Sequence, residues 1–262
     1  MNGFDYQMRS RILGAVSQAT ITSVDGAIQD VPKALAIAKS NPHVLGAAPY
    51  VESEAMLLAR RSAGASVRGI VPADEPKVVD TGEHMVEGKL GELTPKSWNI
   101  ILGRDLAMQL GVGVGDQVTM IVQEMRATPM GGIPRMRSFH VGGMFQVGME
   151  QFDSGLALVN LHDAEALNDL SGPTGIRLRL DDLFNARPVA TELADQLGQI
   201  YRVQTWMDTN ANLFAALSME KMVMFIILSL IILVAVINLI SMLMMLVTDK
   251  QADIAILRTL GA

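Results

Sequence analysis

The chain has 262 residues, room for one large or two small soluble domains, and a formal net charge of −6 from 21 Lys and Arg against 27 Asp and Glu. That acidic balance argues against a nucleic-acid partner, which attracts basic surfaces, and the absence of cysteine excludes disulfides and thiolate zinc sites. Half the residues are hydrophobic but only 5% are aromatic, so the apolar mass is aliphatic and rich in methionine.

Phe4 to Leu13 places Phe4, Met8, Ile12 and Leu13 near helical spacing and reads as an entry helix or stalk. Val16 to Ser23 suits a strand. Val31 to Lys39 reads as a short helix with Asp30 as cap and Pro32 in its first turn, ended by Asn41-Pro42. Val44 to Tyr50, Ala55 to Arg61 and Ser66 to Val71 follow as three strands, and the order suggests an α+β layer fold. Pro72 to Pro95 is rich in Pro and Gly and reads as a crossing into a second subdomain.

Asn99 to Leu102 then reads as a strand and Arg104 to Leu110 as a helix. Gln117 to Val122 and Arg137 to Phe145 suit a hairpin. Between them Gln123 to Arg135, with Pro129, Gly131, Gly132 and Pro134, is long for a hairpin tip and is expected to be a loop, disordered or functional. Leu156 to Asn160, Gly175 to Leu180 and Tyr201 to Thr205 are expected strands, separated by helices over Leu161 to Leu170 and Leu183 to Leu197. Asp208 is the expected cap of a last, long helix.

Met222 to Val247 is a run of 26 residues without a charge. As a helix it measures about 39 Å, enough to cross a bilayer core about 30 Å thick with some tilt. No Pro or Gly interrupts Thr209 to Val247, so one long helix standing out of the bilayer is expected. The start of the chain has no signal-peptide pattern. Either the large domain is cytoplasmic or a preceding segment is missing. Lys250 and Arg258 after the span, against Lys221 before it, place the C-terminal side in the cytoplasm.

Catalytic signatures are lacking. Gly111-Val-Gly-Val-Gly115 has the wrong spacing and context for a dinucleotide loop and reads as a tight turn. No GxxxxGK[ST] loop or Gly-x-Ser-x-Gly elbow occurs, and His43, His84, His140 and His162 are scattered without metal-ligand spacing. The expectation is therefore no catalytic residue, no metal and no cofactor in this chain, with any ATP hydrolysed by another. Two stretches remain. Gln123 to Arg137 combines Arg126, Arg135 and Arg137 with Met125, Met130, Ile133 and Met136, a composition suited either to protein contacts or to a solvated loop. Asp249 to Ala262 can form a short helix beside the membrane, with Ile254, Ile256, Leu257 and Leu260 on a face that either docks on a partner or lies at the interface.

Several stretches together resemble one family: MNGFDYQMRSRILG at Met1 to Gly14, NIILGRDLAMQLGVGVGDQV at Asn99 to Val118, TPMGGIP at Thr128 to Pro134, MEK at Met219 to Lys221 and DKQADIAILRTLGA at Asp249 to Ala262. From end to end the sequence resembles the LolC/LolE-type permeases of the lipoprotein-releasing ABC transporter, within the wider family that includes MacB and FtsX. The resemblance implies an α+β periplasmic domain, with Porter-like and Sabre-like subdomains, joined to a transmembrane α-helix. The implied divisions are a stalk over 1–14 after a missing first span, Porter-like parts over 15–75 and 151–207, a Sabre-like part over 76–150, a stalk and second span over 208–248, and a cytoplasmic coupling helix over 249–262.

The same resemblance implies roles. A hook over 123–134, carried by Gln123, Met125, Thr128, Pro129, Met130, Ile133 and Pro134, would recruit the periplasmic carrier LolA. Arg137 matches an arginine of an adjoining pad, whereas Met136 and Thr119 stand where that pad has a glutamine and an arginine. Met1, Met222, Val223, Met224 and Ile227 would line a pocket for acyl chains, and Lys250, Asp253, Ile254, Leu257 and Arg258 would meet the ATPase. Implied partners are a LolD-like ATPase dimer that binds ATP and Mg, a second LolC/LolE-type permease, LolA, lipoprotein substrate and membrane lipid, in a multi-pass protein of the bacterial inner membrane. The DIAILRTLGA ending and Asp182-Leu-Phe-Asn185 lean toward LolE, so a hybrid of the two types is implied. The alternatives are a MacB-like efflux permease, an FtsX-like regulator of cell-wall hydrolases, or a membrane-tethered sensor without transport.

Overall fold

The structure, a computed structural model, describes residues 17–24, 26–128, 131–182, 185–209 and 211–259. The expected stalk over 1–14, including Met1, lies outside these residues. Contacts divide the chain into two units, Met1–Thr209 and Asn210–Ala262.

The first unit is built on a mixed sheet of β1 (Ala19–Ser23), β2 (Val44–Leu58), β3 (Ser62–Ile70), β4 (Met85–Gly88), β5 (Asn99–Gly103), β6 (Gln117–Thr128), β7 (Gly131–Phe145), β8 (Leu156–Asn160), β9 (Gly175–Leu180) and β10 (Tyr201–Thr205). Its short helices are α1 (Val31–Ser40), α2 (Arg104–Leu110), α3 (Glu150–Asp153), α4 (Leu161–Asn168), α5 (Ala186–Leu197) and α6 (Trp206–Thr209). Six of the strands pair in a closed ring: β2 with β3, β3 with β8, β8 with β5, β5 with β7, β7 with β6, and β6 back to β2. Residues at every second position point inward along such strands. Leu57, Val67, Ile100, Leu102, Met120, Phe139, Val141 and Val159 accordingly share one buried core, joined by Leu106 and Leu110 of α2 and Ala164 and Leu167 of α4.

A second core lies where β1, β9 and the first half of β2 meet α1 and α5, with Ile21, Ala47, Ile176, Leu178, Val189 and Leu193 buried together. β2 serves both cores. The sequence reading split it into Val44 to Tyr50 and Ala55 to Arg61. The structure runs it as one strand because Val51 and Ala55 face inward while Glu52 and Glu54 face out, so the two charges fall in phase with the pleat. The ring also needs close approaches. At Gly69 on β3, a Cβ would sit 2.5 Å from the Ala164 Cβ and 3.2 Å from the Leu161 Cα, so α4 lies directly on the strand.

Local signals explain most helix ends. The Asp30 side chain accepts the Lys33 N–H, and Pro32 stands in the first turn of α1. Gly111 ends α2 at φ +71, Gly115 turns at φ +91, and Asp116 accepts the Gly113 N–H, so the glycine-rich stretch is a tight turn into β6. Asp208 is not an N-cap. The cap is Thr205: its hydroxyl accepts the Asp208 N–H at 3.2 Å, while the Asp208 carboxylate accepts from the Thr205 N–H at 3.1 Å. Those reciprocal bonds form a capping box at the start of α6.

Where β2, β3 and β9 meet, charged groups are buried. Arg177 on β9 and Glu75, with side chains only 2% and 1% exposed, form a two-pronged pair, one bond of which is 3.1 Å long. The Arg177 guanidinium carbon also lies 5.6 Å from the Tyr50 ring centroid. Beside them Arg68 donates to Glu52 at 2.6 Å. Burial pushes the Glu52 carboxyl up, but the Arg68 charge and hydrogen bonds from Arg68 and Ser66 outweigh this and hold it below the ordinary carboxylate range.

The second unit is α7 (Ala211–Thr259), a helix of 49 residues and roughly 74 Å. The stretch Met222–Gln251 contains 18 consecutive residues with a mean hydropathy of 3.2, none of them buried, and is long and apolar enough to cross a membrane. Within it Ser241 and Thr248 donate their hydroxyls to the carbonyls of Ile237 and Met244, at 2.9 and 2.8 Å, as hydroxyls in an apolar medium must find partners. The stretch over 249–259, expected as a distinct short helix, continues α7 without interruption.

Two outcomes follow. Glu75→Leu, which strands the Arg177 charge, should lower stability by about 3–5 kcal/mol in urea unfolding of the detergent-solubilised protein, with Arg177→Met in addition restoring most of it. A carboxyl with a depressed folded-state pKa stabilises above its unfolded value, and that contribution is lost as pH falls through the folded value. Glu52→Gln should therefore flatten the stability profile on its acid limb, below the ordinary glutamate pKa, and leave its shape near neutrality unchanged.

Candidate functional site

The β6–β7 hairpin is the one long feature that leaves the ring. β2 pairs with β6 only as far as Val122, and the β6–β7 register shifts between Ile121 and Met125. Beyond this bulge the two strands continue as a ribbon, Met125 opposite Pro134 and Thr128 opposite Gly131. Gln123 to Arg135, expected as a loop, is therefore mostly paired strand. Pro134 does not prevent pairing because a two-stranded ribbon has an open side for a residue without an N–H. Gly131, Gly132 and Pro134 mark a loop by composition, and strand pairing overrides that local signal here.

The root of the ribbon rests on α4. Asp163, in the first turn of α4 and only 1% exposed, accepts the backbone N–H groups of Lys96 at 2.7 Å and Trp98 at 3.1 Å. Both residues sit at positive φ, +63 and +53. Such a backbone costs about 1–3 kcal/mol for a side chain of this size and persists only where neighbours hold it. Two Asp163 hydrogen bonds provide that hold. At the other end of α4 Asp169, itself at φ +58, pairs with Arg135 of β7 at 2.5 Å.

The Trp98 ring meets Phe139 of the ring core edge-on, with centroids 5.5 Å apart at 74°. Arg137 lies on the same face of β7 as Phe139 and Val141, opposite Met120, but at the exposed end of that row. Its guanidinium carbon stands 4.3 Å from the Trp98 ring centroid. A groove of about 550 Å³ opens here, lined by Ser97, Trp98, Thr119, Met136, Arg137, Ser138 and His140. On the opposite face of the strands Met56, Ile121 and Met136 stand in register across β2, β6 and β7, with Met56 52% and Met136 55% exposed. Apolar residues on an outward strand face beside a protruding ribbon suit a protein contact.

A family profile described as "MacB-like periplasmic core domain" matches residues 1–196. The chain belongs to that family. The MacB-like chain is 46% identical, over its whole length, to the lipoprotein-releasing system transmembrane protein LolC of Xylella fastidiosa (strain Temecula1), and spans about 63% of that protein. It is 42% identical to LolC of Neisseria meningitidis serogroup B and 30% identical to LolE of Haemophilus influenzae, covering 64% of each. Among solved structures, the periplasmic region of MacB from Actinobacillus actinomycetemcomitans aligns with a TM-score of 0.47 at 14% identity, over 78% of this chain and 94% of that one.

In this MacB-like chain the residues expected to form a hook fall on the ribbon. Gln123 and Pro134 are exposed at its base; Met125, Thr128 and Ile133 lie on its strands; Pro129 and Met130, at its tip, lie outside the described residues. Arg137 of the pad stands at the root, in one groove with Thr119 and Met136. Met222, Val223, Met224 and Ile227 are exposed on α7. Lys250 is exposed near its end, while Asp253, Ile254, Leu257 and Arg258 lie on its final helical turns with side chains outside the description. Sequence reasoning missed Trp98, Asp163, Asp169 and Met56. Only Met56 left a signal: it follows Glu52 and Glu54 at outward positions of one strand.

Asp163→Ala leaves two backbone donors of a strained segment without their acceptor. Stability should fall by roughly 1–3 kcal/mol, and amide hydrogen exchange at Lys96 and Trp98 should accelerate ahead of the ring strands.

Proposed function

We propose that this chain is part of an inner-membrane permease subunit that releases lipoproteins from the membrane and hands them to a periplasmic carrier of the LolA type. The single observation that carries the reading is the 46% identity, over all of this chain, to a protein named as a lipoprotein-releasing system transmembrane protein. The MacB-like domain lies in the periplasm and α7 crosses the inner membrane in a multi-pass protein. ATP, with Mg, is bound and hydrolysed by a separate LolD-like ATPase dimer, and this subunit performs no catalysis of its own. A second LolC/LolE-type subunit completes the permease; matches to both types over the whole of this chain, which spans about 63% and 64% of those proteins, suit a chain that combines their roles.

The proposed hook is the ribbon over 123–134, with Arg137 in the adjoining pad. A paired ribbon supports this better than a free loop would, because less conformational freedom is lost when a carrier binds it. Met1, Met222, Val223, Met224 and Ile227 are the proposed lining for acyl chains, flexible methionines suiting chains of varied length. Lys250, Asp253, Ile254, Leu257 and Arg258 are the proposed contact with the ATPase. Porter-like and Sabre-like divisions follow the same resemblance.

Replacing residues 123–134 by a two-residue turn, in the full-length permease purified with its ATPase, should abolish capture of the carrier in a pull-down while the ATPase still co-purifies. Capture at the wild-type level would overturn the hook assignment, and purification without any ATPase would overturn the transporter reading.

A further inference from the structure

Arg137 differs from other arginines of the sheet. Arg135 is paired with Asp169, Arg68 with Glu52, and Arg177 with Glu75. Among the described residues Arg137 has no carboxylate partner; it has an aromatic face instead, 4.3 Å away. Guanidinium donors lie in the plane of the group, so stacking on a ring restrains its orientation and leaves the in-plane N–H groups available. The ring that does this is held unusually firmly. Trp98 is fixed at φ +53 by the buried Asp163 carboxylate and wedged edge-on against Phe139. What the arrangement accomplishes is to bring an aromatic face under a cation at the root of the ribbon.

We infer that Trp98 is a positioning residue, which presents the Arg137 guanidinium in a fixed direction to a carboxylate of the protein that docks on the ribbon. That a protein docks here, and that it is the periplasmic carrier, rests on the proposed function; the stack does not. The docking surface then has two parts. The ribbon supplies reach, and Met56 and Met136 at its root supply apolar contact. Its root supplies one oriented cation, whose ion pair with the partner is formed without first freezing a long flexible side chain. Asp163 acts one step further back, through the Lys96 and Trp98 amides.

Binding of the purified carrier to the full-length permease–ATPase complex tests this. Arg137→Ala and Trp98→Ala should each weaken binding roughly tenfold, and the double variant should bind no more weakly than either alone. Arg137→Lys, which keeps the charge but loses the planar fork, should resemble Arg137→Ala, whereas Trp98→Tyr, which keeps an aromatic face, should stay within about twofold of wild type. Multiplied losses in the double variant, or wild-type binding by Trp98→Ala, would overturn the positioning role. A Trp98→Ala protein that does not fold leaves the Trp98→Tyr and Arg137→Lys comparisons to decide. A second readout needs no partner. In a full-length permease whose other tryptophans, Trp206 among them, are replaced by phenylalanine, and which is separated from its ATPase, Trp98 reports alone, and Arg137→Ala should raise its acrylamide quenching about twofold. Unchanged quenching would overturn the stack itself. If the wild type binds no carrier, the carrier reading fails whatever the quenching shows.

Discussion

Four residue pairings, Ala55–Val122 to Leu58–Thr119, join the end of β2 to the start of β6 and turn an open sheet into a ring. Without them β6 and β7 would be an edge hairpin with an apolar face, containing Met120 and Phe139, open to water. With them that face becomes the interior of a small barrel. Closure also fixes where pairing must stop. β6 parts from β2 after the Ala55–Val122 pair, at the bulge between Ile121 and Met125, and beyond it pairs with β7 alone among the described residues.

The projecting ribbon is useful only if its root is rigid, and the root is stiffened by side chains rather than by further strands. α4 does this from both ends. Its first turn supplies Asp163 to the Lys96–Trp98 segment, and its C-terminal cap supplies Asp169 to Arg135. The ribbon proposed as the carrier contact and the groove at its base are therefore set by one helix of eight residues packed on β3.

Much of the strand and helix order was legible because the signals are local. Asp30, Pro32 and Gly111 act within a few residues of themselves, and β8, β9 and β10 are short runs bounded by turns. Ring closure was not legible, since it depends on β6 meeting a strand some sixty residues earlier. The ribbon was misread for a related reason. Pro and Gly ordinarily break strands, whereas a two-stranded ribbon has an open side for a residue without an N–H. Of the site, the hook and Arg137 were reachable through resemblance, but Trp98 and Asp163 were not, because no spacing rule announces a carboxylate that holds a backbone 65 residues away.

Gly69 shows how far such an arrangement reaches. Its absent methyl lets α4 settle onto β3, with the Ala164 Cβ where a side chain would otherwise begin. An alanine there would lift the helix by a fraction of an ångström and carry Asp163 and Asp169 with it. The footing of the ribbon thus depends on a hydrogen atom in the interior. A lineage that altered this residue could retune what the ribbon grips without touching any side chain that does the gripping.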